Sequence, residues 1–180
     1  IAVTLIGTTG HISLTALMAY PLSLKNFPGK RIFSFYVLFT MLFNGGLVPT
    51  YIMWTNMFHI KDTIWAYILP NFLLSGFNII LVRTFFQTSI PPEIYEAAMM
   101  DGAGHFTIFR RIVLPLGKPI LVTVGLFAGL TYWNDWTNGL YYITDSKLLS
   151  IQSLLNKMTQ DIQALSANSS ASGAMLQIPQ

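Results

Sequence analysis

The chain has 180 residues, of which 53% are hydrophobic and 9% are charged, and its formal net charge is +3. Soluble domains carry roughly 25% charged residues, so this composition excludes an ordinary soluble domain and indicates a membrane protein. The absence of cysteine excludes disulfides, thiolate metal sites and a cysteine nucleophile. We therefore expect apolar helices joined by short polar connections.

Four apolar segments are long enough to cross a bilayer, whose hydrocarbon core needs about 20 helical residues. They are residues 1–24, 32–58, 64–86 and 119–143. The first is rich in Ser and Thr, so we expect it to face protein, and Pro49 and Pro70 are expected to kink the next two. The sequence predicts an all-α integral membrane protein, with a transmembrane domain at residues 1–143 and an extracytoplasmic loop or tail at residues 144–180.

Basic residues are distributed unevenly between the two sides of this predicted bundle. One side carries Lys25, Lys30, Arg31, Arg83, Arg110, Arg111 and Lys118, and the other carries Lys61, Lys147 and Lys157. Because Lys and Arg favour the cytoplasmic side of a membrane, the connection at residues 87–118 is predicted to be cytoplasmic.

That connection contains the short stretch EIYEAAMMDGAG at residues 93–104. Ser89 is a candidate N-cap for a helix here, and Pro91 and Pro92 suit its first turn. Gly102 is expected to end it, because glycine tolerates the left-handed conformation that closes a helix. A second short helix is predicted from His105, with a further break at the prolines that precede the last apolar segment.

One face of the predicted helix is suited to docking into a groove. Glu93, Glu96, Ala97 and Met100 follow one another at i, i+3, i+4 and i+7, so they share a face. The paired alanines leave room for close approach of another chain. The alternative is an ordinary interfacial helix between two membrane spans.

The residues of this connection resemble the sequence signature of a known protein family. EAA at residues 96–98, DGA at 101–103 and I-x-L-P at 112–115 resemble the EAA signature of ABC importer permeases, the binding-protein-dependent inner-membrane components. The resemblance implies a coupling helix that fits a cleft in a separate ATP-hydrolysing subunit. It assigns ATPase coupling to Glu93, Glu96, Ala97, Ala98, Met100, Asp101 and Gly102.

Other stretches resemble the carbohydrate-uptake branch of that family. FF at residues 85–86 before IPPE at 90–93, and YWNDW at 132–136, are similar to the maltose-type second permease subunit. NGGLVPTY at 44–51 and DTIWA at 62–66 resemble a subgroup that handles oligosaccharides or polysaccharide fragments. The implied fold is a type I ABC importer permease-like helical bundle. Family members usually have six spans, so the resemblance implies one span before this chain and one after it.

The resemblance also implies partners and a location. It implies a homologous permease subunit in a heterodimer, two ATP-binding subunits, an extracytoplasmic solute-binding protein, and a sugar or oligosaccharide substrate in the bacterial plasma membrane. The chain contains no G-x-x-x-x-G-K-[S/T] phosphate loop. We therefore expect a transporter subunit that is not an enzyme and binds no cofactor, with ATP and Mg²⁺ on the partner ATPase, and no nucleic acid partner.

Polar residues recur inside two of the apolar segments. On a helical wheel, each set forms a stripe that must face other helices or a wet cavity. The sets are Asn71, Ser75 and Asn78 in the third segment, and Thr131, Asn134, Asp135 and Asn138 in the fourth.

Two interpretations of the stripes compete. Either these polar side chains form hydrogen bonds between helices, or they line a translocation path, where Trp133 and Trp136 would stack on sugar rings. We expect that the stripes line a translocation path, although tryptophans also gather at membrane interfaces. Two other functions stay open: an intramembrane enzyme that uses Asp135 as acid or base, and an ion-coupled carrier.

Two smaller features complete the sequence. Gly125 and Gly129 form a small-xxx-small pattern, expected either at a permease–permease interface or in packing within the subunit. His11, His59 and His105 are scattered without ligand spacing, so no metal site is expected.

Overall fold

The computed structural model describes the backbone of residues 1–72 and 75–175, and the side chains of residues 1–70 and 75–166. Within those ranges the regular structure is entirely helical, as the composition predicts. The α-helices are α1 (Ala2–Ser23), α2 (Lys30–Leu42), α3 (Leu47–Ile52), α4 (Trp65–Phe72), α5 (Gly76–Ser89), α6 (Pro92–Met100), α7 (His105–Ile108), α8 (Leu114–Leu116), α9 (Lys118–Trp133), α10 (Thr137–Tyr142) and α11 (Ile151–Met175). Short π-helical turns occupy Met53–Met57 and Phe109–Val113, and a 3-10 turn occupies Ser146–Leu148.

Helix α1 is the central element of the bundle. It packs against α2, α4, α5 and α9, and its polar residues His11 and Thr15 are buried together with Ala16 and Ala19. The expectation that the first segment faces protein is therefore confirmed for the side that carries His11 and Thr15. Thr9 and Ser13 are exposed, and their hydroxyls donate to backbone carbonyls of α1 itself.

Small residues let α9 approach α1 closely. A Cβ atom added to Gly125 would lie 2.7 Å from Cδ1 of Ile12, and one added to Gly129 would meet Oγ1 of Thr8 at 3.5 Å. The small-xxx-small pattern thus packs within the subunit, which decides between the two alternatives for it. Gly7 on α1 is similarly pressed against the ring of Tyr132.

The second predicted span is bent, and a further bend lies where the connection at residues 87–118 meets the fourth predicted span. The pair Lys30–Leu42 and Leu47–Met57 bends by 111°, and the pair His105–Leu116 and Lys118–Trp133 by 77°. The first bend lies at Gly46, whose φ of +83° glycine accepts readily. The expected kink at Pro49 is wrong, because Pro49 lies in the first turn of α3, where a missing N–H is harmless.

Length and composition identify α1 as a membrane span among the described helices, and up to three spans result if each bent pair counts as one. The third predicted segment forms two helices, α4 and α5. Between them Ser75 is extended, and its hydroxyl accepts a hydrogen bond from the Asn78 N–H. The count of four spans, with their bounds, stays a prediction.

Two buried clusters lie towards opposite ends of α1. The inner cluster joins α1, α5 and α9 to the connection after α5, and consists of Ala16, Ala19, Tyr20, Val82, Phe86, Ile90, Ala98, Ile108, Phe109, Val113 and Val124. The outer cluster joins α4 to α10 and to the π-helical turn Met53–Met57, and consists of Trp54, Ile60, Ala66, Tyr67, Tyr142 and Ile143. Each cluster supports one of the features described next.

Candidate functional site

Helix α6 starts and ends sharply. Pro91 is extended because Pro92 follows it, so α6 begins at Pro92. The predicted N-cap Ser89 is wrong, since Ser89 is the last residue of α5. At the other end Gly102 has a φ of +77°, its N–H donates to the Met99 carbonyl, and the next N–H donates to the Ala98 carbonyl, both at 3.0 Å. This is a Schellman termination, and the predicted glycine stop is confirmed.

The inward face of α6 is fixed to the bundle. Ala98 is 9% exposed and belongs to the inner cluster, against which Tyr95 also packs. Burial raises the pKa of Tyr95, so this phenol stays neutral. The following corner is held by α1, because the Tyr20 hydroxyl donates to the His105 carbonyl at 3.2 Å, and the Tyr20 ring lies 5.1 Å from that of Phe109.

The outward face of α6 is open. All four residues of the predicted docking face, Glu93, Glu96, Ala97 and Met100, are exposed, as are Asp101 and Gly102. Met100 is 88% exposed, which is unusual for an apolar side chain in a helix that is otherwise well packed. Among the seven coupling residues that the resemblance assigns, Ala98 alone faces the bundle. We call the four-residue docking face the α6 face.

A recess between α1, α5 and α9 brings together three of the predicted path residues. Ser75, Asn78 and Thr131 line it with Phe77, Phe127, Ala128 and Tyr132, and its volume is about 340 Å³. The sequence analysis missed a further member of this lining, His11, which is 4% exposed. Its Nε2 lies 2.9 Å from Nδ2 of Asn78, within hydrogen-bond distance. We call this space the His11 recess.

The signal for His11 was present in the sequence, because the polar first segment has one histidine and no Lys, Arg, Asp or Glu before Lys25. Testing histidines only for metal spacing overlooked hydrogen bonding to an amide 67 residues away. The third residue of the predicted stripe in that segment, Asn71, has its side chain outside the described residues.

A second, wider cavity lies at the end of α9. Thr131, Asn134, Asp135 and Asn138 line it, and its volume is about 630 Å³. These four residues line one side of the cavity even though α9 ends at Trp133. The reason is that the following turn and α10 continue the chain along that side of the cavity. Since Thr131 lines both spaces, this α9 cavity adjoins the His11 recess.

Asp135 is engaged by its neighbour on α10. Its Oδ1 accepts the Asn138 N–H at 3.1 Å and its Oδ2 accepts the side-chain amide at 2.7 Å. Trp133 and Trp136 line other recesses, so the structure does not bring them to the α9 cavity. Asp135 therefore orders the start of α10, and no group of three or more His, Cys, Asp or Glu gathers around it or elsewhere among the described residues.

At the end of the bundle away from α6, Asp62 joins two connections. Its side chain accepts the backbone N–H groups of Thr144 and Asp145, and its own N–H donates to the Tyr142 carbonyl at 3.0 Å. The two accepted hydrogen bonds hold the pKa of Asp62 below its usual value of 3.8. This Asp62 clasp ties the loop before α4 to the residues after α10.

Residues 11–178 match a known protein family, described as the binding-protein-dependent transport system inner membrane component. The chain belongs to this family. The matched range begins at His11 and includes α6 and the residues that line the His11 recess and the α9 cavity. The resemblance carried by the EAA stretch is confirmed.

Particular relatives of this family are also similar to the chain. It is 41% identical over 156 residues to the polygalacturonan/rhamnogalacturonan transport system permease protein YtcP of Bacillus subtilis (strain 168), covering 87% of this chain and 54% of that protein. It is 39% identical over 159 residues to protein LplC of the same organism, covering 88% and 53%. The chain therefore spans about half the length of these curated relatives.

A solved structure shares the fold. The chain resembles, with a TM-score of 0.77 and 33% identity, a crystal structure of a bacterial ABC transporter involved in the import of the acidic polysaccharide alginate. The match covers 97% of this chain and 62% of that one. The expected type I ABC permease-like helical fold is confirmed.

Proposed function

We propose that the chain forms part of the transmembrane permease subunit of an ATP-driven importer for sugars or oligosaccharides, and that α6 couples it to a separate ATPase subunit. One observation carries the proposal: α6 presents an exposed face while its other side is fixed to a buried cluster. The substrate class is supported by relatives named for polygalacturonan and maltodextrin transport.

The packing supports a mechanical role for α6. Its inward side and the corner after it belong to the same buried cluster as residues of α1, α5 and α9, so a displacement of α6 by a partner is expected to move close-packed helices rather than a loose loop. Tyr20 adds a direct link from that corner to the central helix. In this mechanism, ATP binding and hydrolysis on the partner tilt the bundle and alternate the side to which the path opens.

The side chains of the α6 face determine what chemistry the docking cleft of the ATPase subunit needs. Glu93 lies in the first turn of α6, near its positive dipole end, and Glu96 follows one turn later. A cleft that receives this face needs basic or hydrogen-bond donor groups for the two carboxylates and an apolar pocket for Met100. The complete assembly contains a homologous permease in a heterodimer, two ATP-binding subunits carrying ATP and Mg²⁺, and an extracytoplasmic solute-binding protein.

The translocation path runs along α9 in this proposal. The His11 recess and the α9 cavity adjoin at Thr131, so their polar walls form a continuous surface between helices. The assembly lies in the bacterial plasma membrane with α6 on the cytoplasmic side. An enzyme or ion carrier built on Asp135 gains no support, since its carboxylate is bonded to Asn138.

Charge reversal on the α6 face tests the coupling. The full-length permease is reconstituted in proteoliposomes with its partners, and uptake and ATP hydrolysis are measured together. Glu96→Lys and Ala97→Phe are expected to lower uptake about tenfold or more, because a docked charge or a close alanine contact is lost. The matched control Asp161→Lys reverses an exposed acid on α11 and is expected to stay within about twofold. Unchanged uptake in Glu96→Lys would remove α6 from the mechanism.

The orientation of α6 can be tested with single thiols, because this chain has no cysteine and any cysteine elsewhere in the importer is first replaced by serine. Met100→Cys and Lys61→Cys place single thiols at exposed positions on α6 and on the outer connection. A membrane-impermeant thiol reagent is expected to label the first only in inside-out vesicles and the second only in right-side-out vesicles. Labelling of Met100→Cys from outside would contradict the proposed topology.

A further inference from the structure

The His11 recess has walls of mixed chemistry contributed by three helices. The imidazole of His11, the amide of Asn78 and the hydroxyl of Thr131 provide uncharged hydrogen-bonding groups, and Phe77, Phe127 and Tyr132 provide aromatic surface. None of the described lining residues is Lys, Arg, Asp or Glu. A set of uncharged donors and acceptors beside aromatic rings is suited to the hydroxyls and C–H faces of a sugar ring.

The recess is more than a packing contact between α1 and α5. A His–Asn hydrogen bond that only joins helices needs no adjoining space, because helix interfaces are close-packed. Thr15, one turn further along α1, shows the contrast: it is fully buried and its hydroxyl has no hydrogen-bond partner. The packing around α1 therefore buries the Thr15 hydroxyl completely but leaves a space of about 340 Å³ beside His11.

The dimensions limit what the recess can hold. Small-molecule sites have volumes of roughly 300–1,000 Å³, and this recess is at the lower end of that range. It suits a single ring rather than a chain of rings. The adjoining α9 cavity of about 630 Å³ leaves room for the next ring of an oligosaccharide.

We infer that the His11 recess is a subsite that binds the hydroxyl face of one sugar ring of the oligosaccharide during its passage. The inference rests on the proposed transport function and adds a residue-level site to it. His11 and Asn78 orient each other across α1 and α5 and exchange part of that contact for sugar hydroxyls. Phe77, at the open edge with 60% exposure, supplies a face for the ring.

Protection from a thiol reagent tests binding directly. Thr131→Cys introduces one thiol into the recess of a chain that has no cysteine. Thr123→Cys is a matched control, since both threonines are exposed residues of α9 whose hydroxyls bond the carbonyl four residues earlier, while Thr123 does not line the recess. The complete importer in proteoliposomes is labelled with a hydrophilic thiol reagent, with and without trigalacturonate or maltotriose.

The expected result is selective protection by the sugar that is taken up. At a sugar concentration about ten times the half-saturating value, labelling of Thr131→Cys should slow about tenfold, while Thr123→Cys is unchanged. Uptake of a sugar without protection of Thr131→Cys overturns the subsite and leaves the proposed function intact. If neither sugar nor any other oligosaccharide enters by ATP-driven uptake, the proposed function itself fails.

Substitution of His11 supplies a second measurement. His11→Leu is expected to lower uptake about three- to tenfold, the effect of one lost hydrogen-bonding group, with sugar-stimulated ATP hydrolysis retained. His11→Gln keeps a polar group near the Nε2 position and is expected to recover most of the uptake. The control Thr15→Val, which removes a hydroxyl without a partner, is expected to be neutral.

A variant outside the core covers the case in which His11→Leu does not assemble. Phe77→Ala removes only an exposed ring, and is expected to change the ratio of trigalacturonate to maltotriose uptake at least about threefold, because stacking strength depends on the ring presented. An unchanged ratio in Phe77→Ala, or equal losses in His11→Leu and Thr15→Val, overturns the subsite.

Discussion

Alanine at Gly117 tests whether the corner between α8 and α9 depends on close packing. A Cβ atom at this position would lie 2.5 Å from Cε1 of Phe86 and 2.9 Å from the Val113 carbonyl oxygen, against an ordinary contact of at least 3.4 Å. Phe86 is completely buried and the carbonyl belongs to the backbone, so neither can yield cheaply. Overpacking of this kind costs about 2–3 kcal/mol.

Part of that cost is offset in the unfolded chain, where alanine has fewer conformations than glycine, by about 0.4–1 kcal/mol. A net loss of about 2 kcal/mol is expected for Gly117→Ala, measured as a lower midpoint of thermal unfolding of the full-length permease in detergent. Gly104→Ala is the matched control, because nothing lies within 4 Å of its added Cβ atom. Equal midpoints for the two variants would refute the reasoning.

Three further perturbations address other parts of the fold. Gly102→Ala, at a φ of +77°, is expected to cost about 1 kcal/mol and to weaken coupling of ATP hydrolysis to uptake, whereas the asparagine variant is expected to lose less. Tyr20→Phe removes the hydrogen bond to the His105 carbonyl, and faster hydrogen exchange at that corner is expected. The lowered pKa of Asp62 means that its clasp contributes fully above pH 3.8 and is lost as pH falls through the lowered value. Asp62→Asn should remove that part of the acid dependence of unfolding. Asp62→Ala should weaken the clasp at every pH. A proteolysis assay of the loops joined by the clasp, carried out over a range of pH, distinguishes these two outcomes.

Helix α6 was largely predictable because local chemistry decides where it begins and ends. The two prolines at residues 91–92 fix φ where the helix begins, and Gly102 accepts the positive φ that ends it. The spacing of Glu93 and Glu96 defines a face without reference to the rest of the chain. Ser89 was assigned wrongly because a serine can begin a helix or end the preceding one, and packing of α5 decides between them. Tertiary context, not propensity, settles such cases.

The bends and the His11 recess were not predictable in the same way. Gly46 and Pro49 both interrupt a helix, and only the backbone shows that the turn is made at the glycine. The pairing of His11 with Asn78 spans 67 residues, so no local pattern indicates it. The position of Gly125 against Ile12 likewise depends on which helices become neighbours.

The central position of α1 constrains how the chain is made. His11 and Thr15 are synthesised before α5 and α9, which later pack against α1 and follow tens of residues behind. An uncovered imidazole in hydrocarbon is unfavourable, so α1 must wait beside the insertion machinery, or against another helix, until its lasting neighbours emerge. The helix with the most neighbours in the finished bundle thus carries polar groups that are covered only when later parts of the chain have been made.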